Sequence, residues 1–246
     1  MRLIHVIGIG AGDPEYVTAQ AIRALNDTQV FFAMDKGEAK SDLVALRRDI
    51  CDRFITEPGY RFVELADPKR AADGDYPTAV ADWHAARAGL WARAIETELG
   101  PGSVGAFLAW GDPSLYDSTL RILDEVAEHV DLRYDVIPGI TAVQALTARH
   151  RIPLNDVGEP VLITTGRQLR RHELTGSAVV MLDGECSFLH CPAQTRIWWG
   201  AYLGPADEIL MAGTVGEVGE RIAELRAEAR ARHGWIMDTY LLRSAQ

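Results

Sequence analysis

The chain opens on an apolar run, Leu3-Ile-His-Val-Ile7, that ends in the glycine-rich turn Gly8-Ile-Gly-Ala-Gly-Asp-Pro14. A short apolar run closed by glycines predicts a buried strand. Thr18 then offers an N-cap oxygen to a helix whose apolar positions, Ala21, Ile22 and Leu25, recur at helical spacing. A second strand, Gln29–Ala33, ends at Met34-Asp35, residues 41–54 are helix-like, and Arg61–Leu65 forms a short strand. From Asp67 to Pro77 the residues are polar and loop-forming, and a helix rich in Ala, Trp and Arg runs on to Leu99, where Gly100-Pro-Gly102 stops it. Ser103–Trp110 is another buried strand, followed by the turn Gly111-Asp-Pro-Ser-Leu-Tyr116 and a helix. Tyr134–Ile137 is the next strand and ends in Pro138-Gly-Ile-Thr-Ala142. Strands alternating with helices predict parallel pairing through right-handed crossovers.

The second half is patterned differently. Val161–Thr164, Ala178–Leu182 and Glu208–Met211 predict strands, Val215–Arg232 a long amphipathic helix, and Trp235–Leu242 a final strand. A final strand close to the C-terminus favours a mixed sheet with an antiparallel member. The Pro- and Gly-bearing segment His150–Pro160 is the candidate linker. The expected fold is α/β with two α/β domains: residues 1–150, mostly parallel and carrying the glycine-rich loop, and residues 151–246, with a mixed sheet. An active-site cleft is expected between them.

Composition narrows the function. Hydrophobic residues make up 48% and charged residues 24% of the 246 positions, which is globular rather than disordered. Acidic residues outnumber basic ones by 35 to 25, a formal net charge of −10, which argues against a nucleic-acid surface. No apolar run reaches the ~18 residues of a membrane span, and Met1 leads directly into a strand, so an unprocessed cytoplasmic protein is expected. Three cysteines are too few for a disulfide framework. Cys186, His190 and Cys191, with Glu185 nearby, suggest zinc only weakly, because a second ligand pair is lacking; a structural role is preferred and no metal is expected.

Three strand ends carry small or acidic residues, Gly8–Pro14, Gly111–Tyr116 and Pro138–Ala142, and in a parallel sheet all three emerge at the carboxyl edge, where ligands bind. Each alone could be a tight turn; together they favour a small-molecule site. A dinucleotide fingerprint is not met: the third glycine of G-x-G-x-x-G is replaced by Asp13, followed by Pro14, and a carboxylate there repels a pyrophosphate. No Gly-Lys-Ser/Thr follows, which excludes a P-loop. The spacing G-x-G-x-G suits an adenosyl ligand, but Val6 stands where the usual methyltransferase acid would be.

In this order, the three turns and Thr18 resemble the tetrapyrrole methyltransferase family of the corrin and siroheme pathways, over nearly the whole chain. Asp35–Lys40, Leu108–Asp117, Met181–Glu185 and Trp198–Tyr202 are similar to its deacetylating branch. The resemblance implies methyl transfer from S-adenosyl-L-methionine to C-1 of the tetrapyrrole precorrin-5 in cobalamin biosynthesis, with loss of acetate, by a homodimer. It places cofactor contacts at Gly10 and Ala11, where many relatives have proline at position 11. The second turn supplies Trp110, Gly111, Asp112 and Leu115, and relatives often have glycine at position 110, so only its backbone role transfers. Thr141 and Ala142, the strand end Met181-Leu182, and the loop Ala212-Gly213-Thr214 complete the set; Ile236 is a loose match. Because the sulfonium loses its charge as the methyl leaves, an ion pair at sulfur would stabilise the ground state more than the transition state. Asp112 therefore suits the ammonium or ribose.

A substrate with many carboxylates needs local positive charge. Arg167, Arg170 and Arg171 form a basic loop that either grips carboxylates or is solvated surface, and Lys36 and Lys40 are more simply solvated. Trp198, Trp199 and Tyr202 either stack on the ring or, more simply, belong to the core. Acetate release asks for a general base and an oxyanion donor. Candidates are Asp35, Asp112, Tyr116, Glu185 and His190, with Asp112 and Tyr116 the preferred catalytic pair. The alternatives are a family member acting at another ring carbon, a nucleotide-dependent oxidoreductase, and a non-catalytic tetrapyrrole-binding module.

Overall fold

The computed structural model describes residues 1–35, 41–68 and 76–244. Its contacts divide the chain into two units, Met1–Gly10 with Pro14–Ile140, and Ala11–Asp13 with Thr141–Gln246.

In the first unit, strands β1 (Arg2–Gly8), β2 (Val30–Asp35), β3 (Arg61–Ala66), β4 (Val104–Ala109) and β5 (Leu132–Ile137) form one sheet in the order β3-β2-β4-β1-β5. Every pairing is parallel. Helices α1 (Ala19–Asp27), α2 (Ser41–Phe54), α3 (Tyr76–Glu98) and α4 (Thr119–Ala127) make the crossovers. Successive strand residues face opposite sides of a sheet, and here both sides are covered, which is why the strands read as continuous apolar runs. Ile4, Val6, Phe32 and Phe107 pack with Trp91, Ile95 and Ile122 of α3 and α4. Ile7, Phe31 and Leu108 pack with Leu25 of α1 and Ile50 of α2 on the other side. The chain leaves β2 for β3 at one edge and β4 for β5 at the other. These neighbouring strands therefore form a topological switch point, with α2 and α4 on opposite faces.

In the second unit, α5 (Ala142–His150) precedes β6 (Val161–Thr165), the short α6 (Gly166–Leu169), β7 (Ser177–Met181), β8 (Arg196–Ala201), β9 (Ile209–Thr214), α7 (Val215–His233) and β10 (Asp238–Arg243). The sheet order is β6-β7-β10-β8-β9. β6 and β7 are parallel, while β10 runs antiparallel to both β7 and β8, and β9 antiparallel to β8. The mixed sheet expected from the late strand is thus present, with that strand at its centre. It begins at Asp238 rather than Trp235, because Gly234 ends α7 in the left-handed conformation and Trp235 to Met237 lead back to the sheet. Trp199, Tyr240, Val180, Phe188 and Ile222 form the core beneath α7, and α5 packs on β8 and β10. Among the described residues, no helix is long and apolar enough to cross a membrane.

Candidate functional site

In the first unit the three turns meet through their backbones. Ile9 N donates to Ala109 O at 3.0 Å, and Gly10 and Gly111 exchange hydrogen bonds of 3.3 and 2.8 Å. A Cβ on Gly139 would lie 2.0 Å from Gly111 O and 2.8 Å from Gly8 Cα. At Gly10, whose φ is +83°, a Cβ would lie 2.6 Å from Tyr16 Cβ. Close approach therefore requires these glycines. Asp112 ties the turns together: Oδ1 accepts from Ser114 N at 2.8 Å and Ser114 Oγ at 2.5 Å, and Oδ2 accepts from Gly139 N at 2.8 Å. Burial pushes this carboxyl up, but hydrogen bonds from Ser114 and Gly139 outweigh it and hold the group below the usual carboxylate range. Leu115 is half-buried. Tyr116 is exposed, with a left-handed φ of 51°, and burial of its hydroxyl end raises the phenol. Trp110 keeps its indole Nε1 buried with no hydrogen-bond partner among the described residues.

In the second unit, the loop tip packs on its own neighbours. Ala11 is buried, a Cβ on Gly12 would lie 2.6 Å from Leu203 O, and one on Gly204 would lie 2.4 Å from Asp13 N. Thr141 caps α5 through a capping box with Gln144, which adds a folding role to that residue and starts the helix at Ala142. Thr214 does the same for α7 with Glu217, just past Ala212 and Gly213. At the end of β7, Met181 is half-buried, and Leu182 is 67% exposed with φ 53°. An exposed apolar side chain in left-handed backbone marks a position held there by its surroundings. The residue after it, Asp183, which was not singled out from sequence, is tied into the unit: its carboxylate accepts from Ser187 N, Ser187 Oγ and Tyr240 Oη.

Several candidates have other partners. Arg170 is ion-paired with Glu185, which ties up the carboxylate considered as a base. Arg170 and Arg171 line a cavity of about 290 Å³ with His172 and His190, whereas Arg167 is not among the lining residues. Trp199 and Tyr202 are core, bonded to Asp238 and to the Trp235 carbonyl, so neither can stack on a ligand. Trp198 is half-buried, with the guanidiniums of Arg196 and Arg243 at 5.3 and 5.2 Å from its ring. Burial pushes the Cys186 and Cys191 thiols up. Among the described residues, no group of three or more His, Cys, Asp or Glu could hold a metal. Lys36 and Lys40 lie outside the described residues, as does the side chain of Asp35.

Residues 3–219 match the family model described as Tetrapyrrole (Corrin/Porphyrin) Methylases. The chain belongs to this family. Its tetrapyrrole-methylase relatives include the precorrin-6A synthase [deacetylating] of Sinorhizobium sp., 53% identical across 99% of this chain and 95% of the relative. The crystal structure of a cobalamin-synthesis-related protein (CobF) from Corynebacterium diphtheriae superposes with a TM-score of 0.88 at 45% identity, covering 100% of both chains. A uroporphyrin-III C-methyltransferase from Thermus thermophilus, complexed with S-adenosylhomocysteine, shares the fold at TM-score 0.63 and 18% identity, covering 99% of this chain and 92% of that one.

Proposed function

We propose that this tetrapyrrole methylase is an S-adenosylmethionine-dependent C-methyltransferase of cobalamin biosynthesis that methylates precorrin-5 at C-1 and releases acetate, forming precorrin-6A. The observation that carries this reading is the 53% identity, along nearly the full length of both chains, to a deacetylating precorrin-6A synthase. S-adenosylmethionine, when bound, supplies an electrophilic methyl group. The buried Trp110 Nε1, which has no hydrogen-bond partner among the described residues, is a donor that a bound ligand could satisfy beside the packed glycine turns. Contacts at Ala11, Leu115, Thr141, Ala142, Met181, Leu182, Ala212, Gly213 and Thr214 remain part of the proposal, as do substrate contacts at Arg167, Arg170 and Arg171.

Within the Asp112–Tyr116 pair, the two roles separate. Asp112 stays ionised and braces the turn, which makes it a weak base. Tyr116 stays protonated at neutral pH and can donate a hydrogen bond to the acetyl oxygen as water adds to that carbonyl. A cytoplasmic homodimer completes the proposal, and light scattering on the purified protein tests the assembly.

The deciding experiment incubates the protein with precorrin-5 and methyl-labelled S-adenosylmethionine. One labelled methyl in the product and one acetate per turnover are expected. Methylation without acetate would move the chain to a family member acting at another ring carbon.

A further inference from the structure

β5 is an edge strand of the first sheet, and among the described residues it pairs only with β1. A strand turns the N–H and C=O groups of alternate residues toward opposite neighbours. Arg2 N donates to Asp131 O at 3.2 Å, so Asp131, Arg133 and Asp135 turn these groups to β1, and Leu132, Tyr134 and Val136 turn theirs outward. The Leu132 N–H is taken up by Val130 O at 2.8 Å. The Tyr134 N–H and C=O, the Val136 N–H and the Leu132 C=O have no partner among the described residues. The side chains alternate between the two faces of the sheet. Leu132 and Tyr134 pack on the core beneath α3 and α4, where the Tyr134 hydroxyl donates to Asp124, and Val136 beyond them is 43% exposed. Arg133 and Asp135 stand on the other face, both exposed and neither in an ion pair among the described residues. Charges on an edge strand normally deter pairing. On β3 they are spent within the chain, Arg61 on Glu98 and Glu64 on Arg48, while β6 and β9 carry none. On β5 they are unspent, opposite in sign, and placed one on each side of Tyr134.

We infer that β5 is the docking edge for a second copy of this chain, the two β5 strands running antiparallel about a two-fold axis at Tyr134. Residues directly opposite in an antiparallel pair share a face, so this register sets Arg133 of each copy opposite Asp135 of the other, and Leu132 opposite Val136. The contact is isologous, and each pairing occurs twice. The same register brings the outward backbone groups together. Tyr134 N–H of each copy meets Tyr134 C=O of the other, and Val136 N–H meets Leu132 C=O, closing the open ladder of both sheets. Moving the axis to Arg133 or to Asp135 would set like charges against each other, so the charge order selects Tyr134 over its neighbours. The inference rests on the homodimer reading above and gives it a surface. The partner is recognised by extended backbone and by a complementary sequence of charges, the mode of strand addition to a sheet edge.

Sedimentation velocity and hydrogen exchange on the whole chain test it. The wild-type protein is expected to sediment as a dimer, with the Tyr134 and Val136 amides protected at high protein concentration and exchanging on dilution. Arg133→Glu sets carboxylate against carboxylate, and Asp135→Arg sets guanidinium against guanidinium, each at two places in the pair. Either variant alone is expected to self-associate about tenfold more weakly, with a difference that shrinks as salt is added. Mixed in equal amounts, the two variants present opposite charges at every contact, and a mixed dimer of wild-type affinity is expected. Such a recovery also shows that both variants fold. A mixture that stays monomeric, with wild-type thermal unfolding of each variant, overturns the inference. So do two variants that dimerise as the wild type does, which would leave the homodimer to another surface, such as the β6 edge with Leu162 and Ile163 59% and 41% exposed. A monomeric wild type overturns the homodimer reading as well. Should a variant fail to fold, the wild-type exchange decides alone, and equal exchange of the two amides at both concentrations overturns the inference. None of these readouts needs turnover, so the methyltransferase reading stands or falls separately on its acetate assay.

Discussion

The Asp112–Gly139 hydrogen bond and the missing Cβ of Gly139 add the third turn to the backbone pairing of Gly10 with Gly111 in the first unit. An alanine Cβ at Gly139 would sit 2.0 Å from the Gly111 carbonyl oxygen, with backbone on both sides and nothing flexible to give way. Gly139→Ala is expected to lose about 3 kcal/mol or more, or to yield no folded protein. Gly102→Ala, where φ is +83° but no atom lies within 4 Å, should cost only about 1 kcal/mol. Urea unfolding of the two variants checks the contrast. His5, in the middle of β1, is 8% exposed, and its Nδ1 has no partner among the described residues. Burial lowers its pKa, against the pull of Asp135 and Asp27. The unfolded chain therefore binds the proton first as pH falls below about 6.5, and stability drops from there toward the folded pKa. Unfolding at pH 7.5 and 5.5 should show this loss, and His5→Leu should reduce it.

At the scale of elements, the second unit depends on how α7 is fastened to β10. Arg226 of α7 donates through Nε to Asp238 Oδ2 at 3.0 Å, with both side chains buried, and Trp199 Nε1 donates to the same oxygen at 2.9 Å. Arg226→Met leaves a buried carboxylate without its cation and is expected to cost about 3–5 kcal/mol, whereas Arg226→Met with Asp238→Leu recovers most of it. Thermal unfolding of the single and double variants measures the difference. A helix start was legible in the first unit: Thr18 caps α1 as expected, because a threonine before a helical apolar pattern acts locally. The central place of β10 was not legible, since an apolar run predicts a strand without naming its neighbours.

For the whole molecule, a formal net charge of −10 and a proposed substrate rich in carboxylates make different demands, and among the described residues Arg170 and Arg171 share one cavity wall, where Glu185 already pairs with Arg170. S-adenosylhomocysteine at about 100 times its Kd should stabilise the fold by about 2.7 kcal/mol through mass action, and NADPH should not. A thermal-shift series with both ligands distinguishes the methyltransferase from the oxidoreductase alternative. Equal shifts would overturn the cofactor assignment.

By itself, the order of residues determined the strands and helices of the first unit, its parallel character, the three glycine-bearing bends and the family. These follow from local periodicity, from glycine's freedom and from motifs contained in a few consecutive residues. Only the tertiary structure decided that Asp112 is committed to Gly139, 27 positions away, and that Arg47 and Arg87 line one cavity, whereas the core places of Trp199 and Tyr202 bear out the simpler reading of an apolar strand. Those outcomes depend on which strands become neighbours, a choice made by packing among distant segments and written in no local pattern.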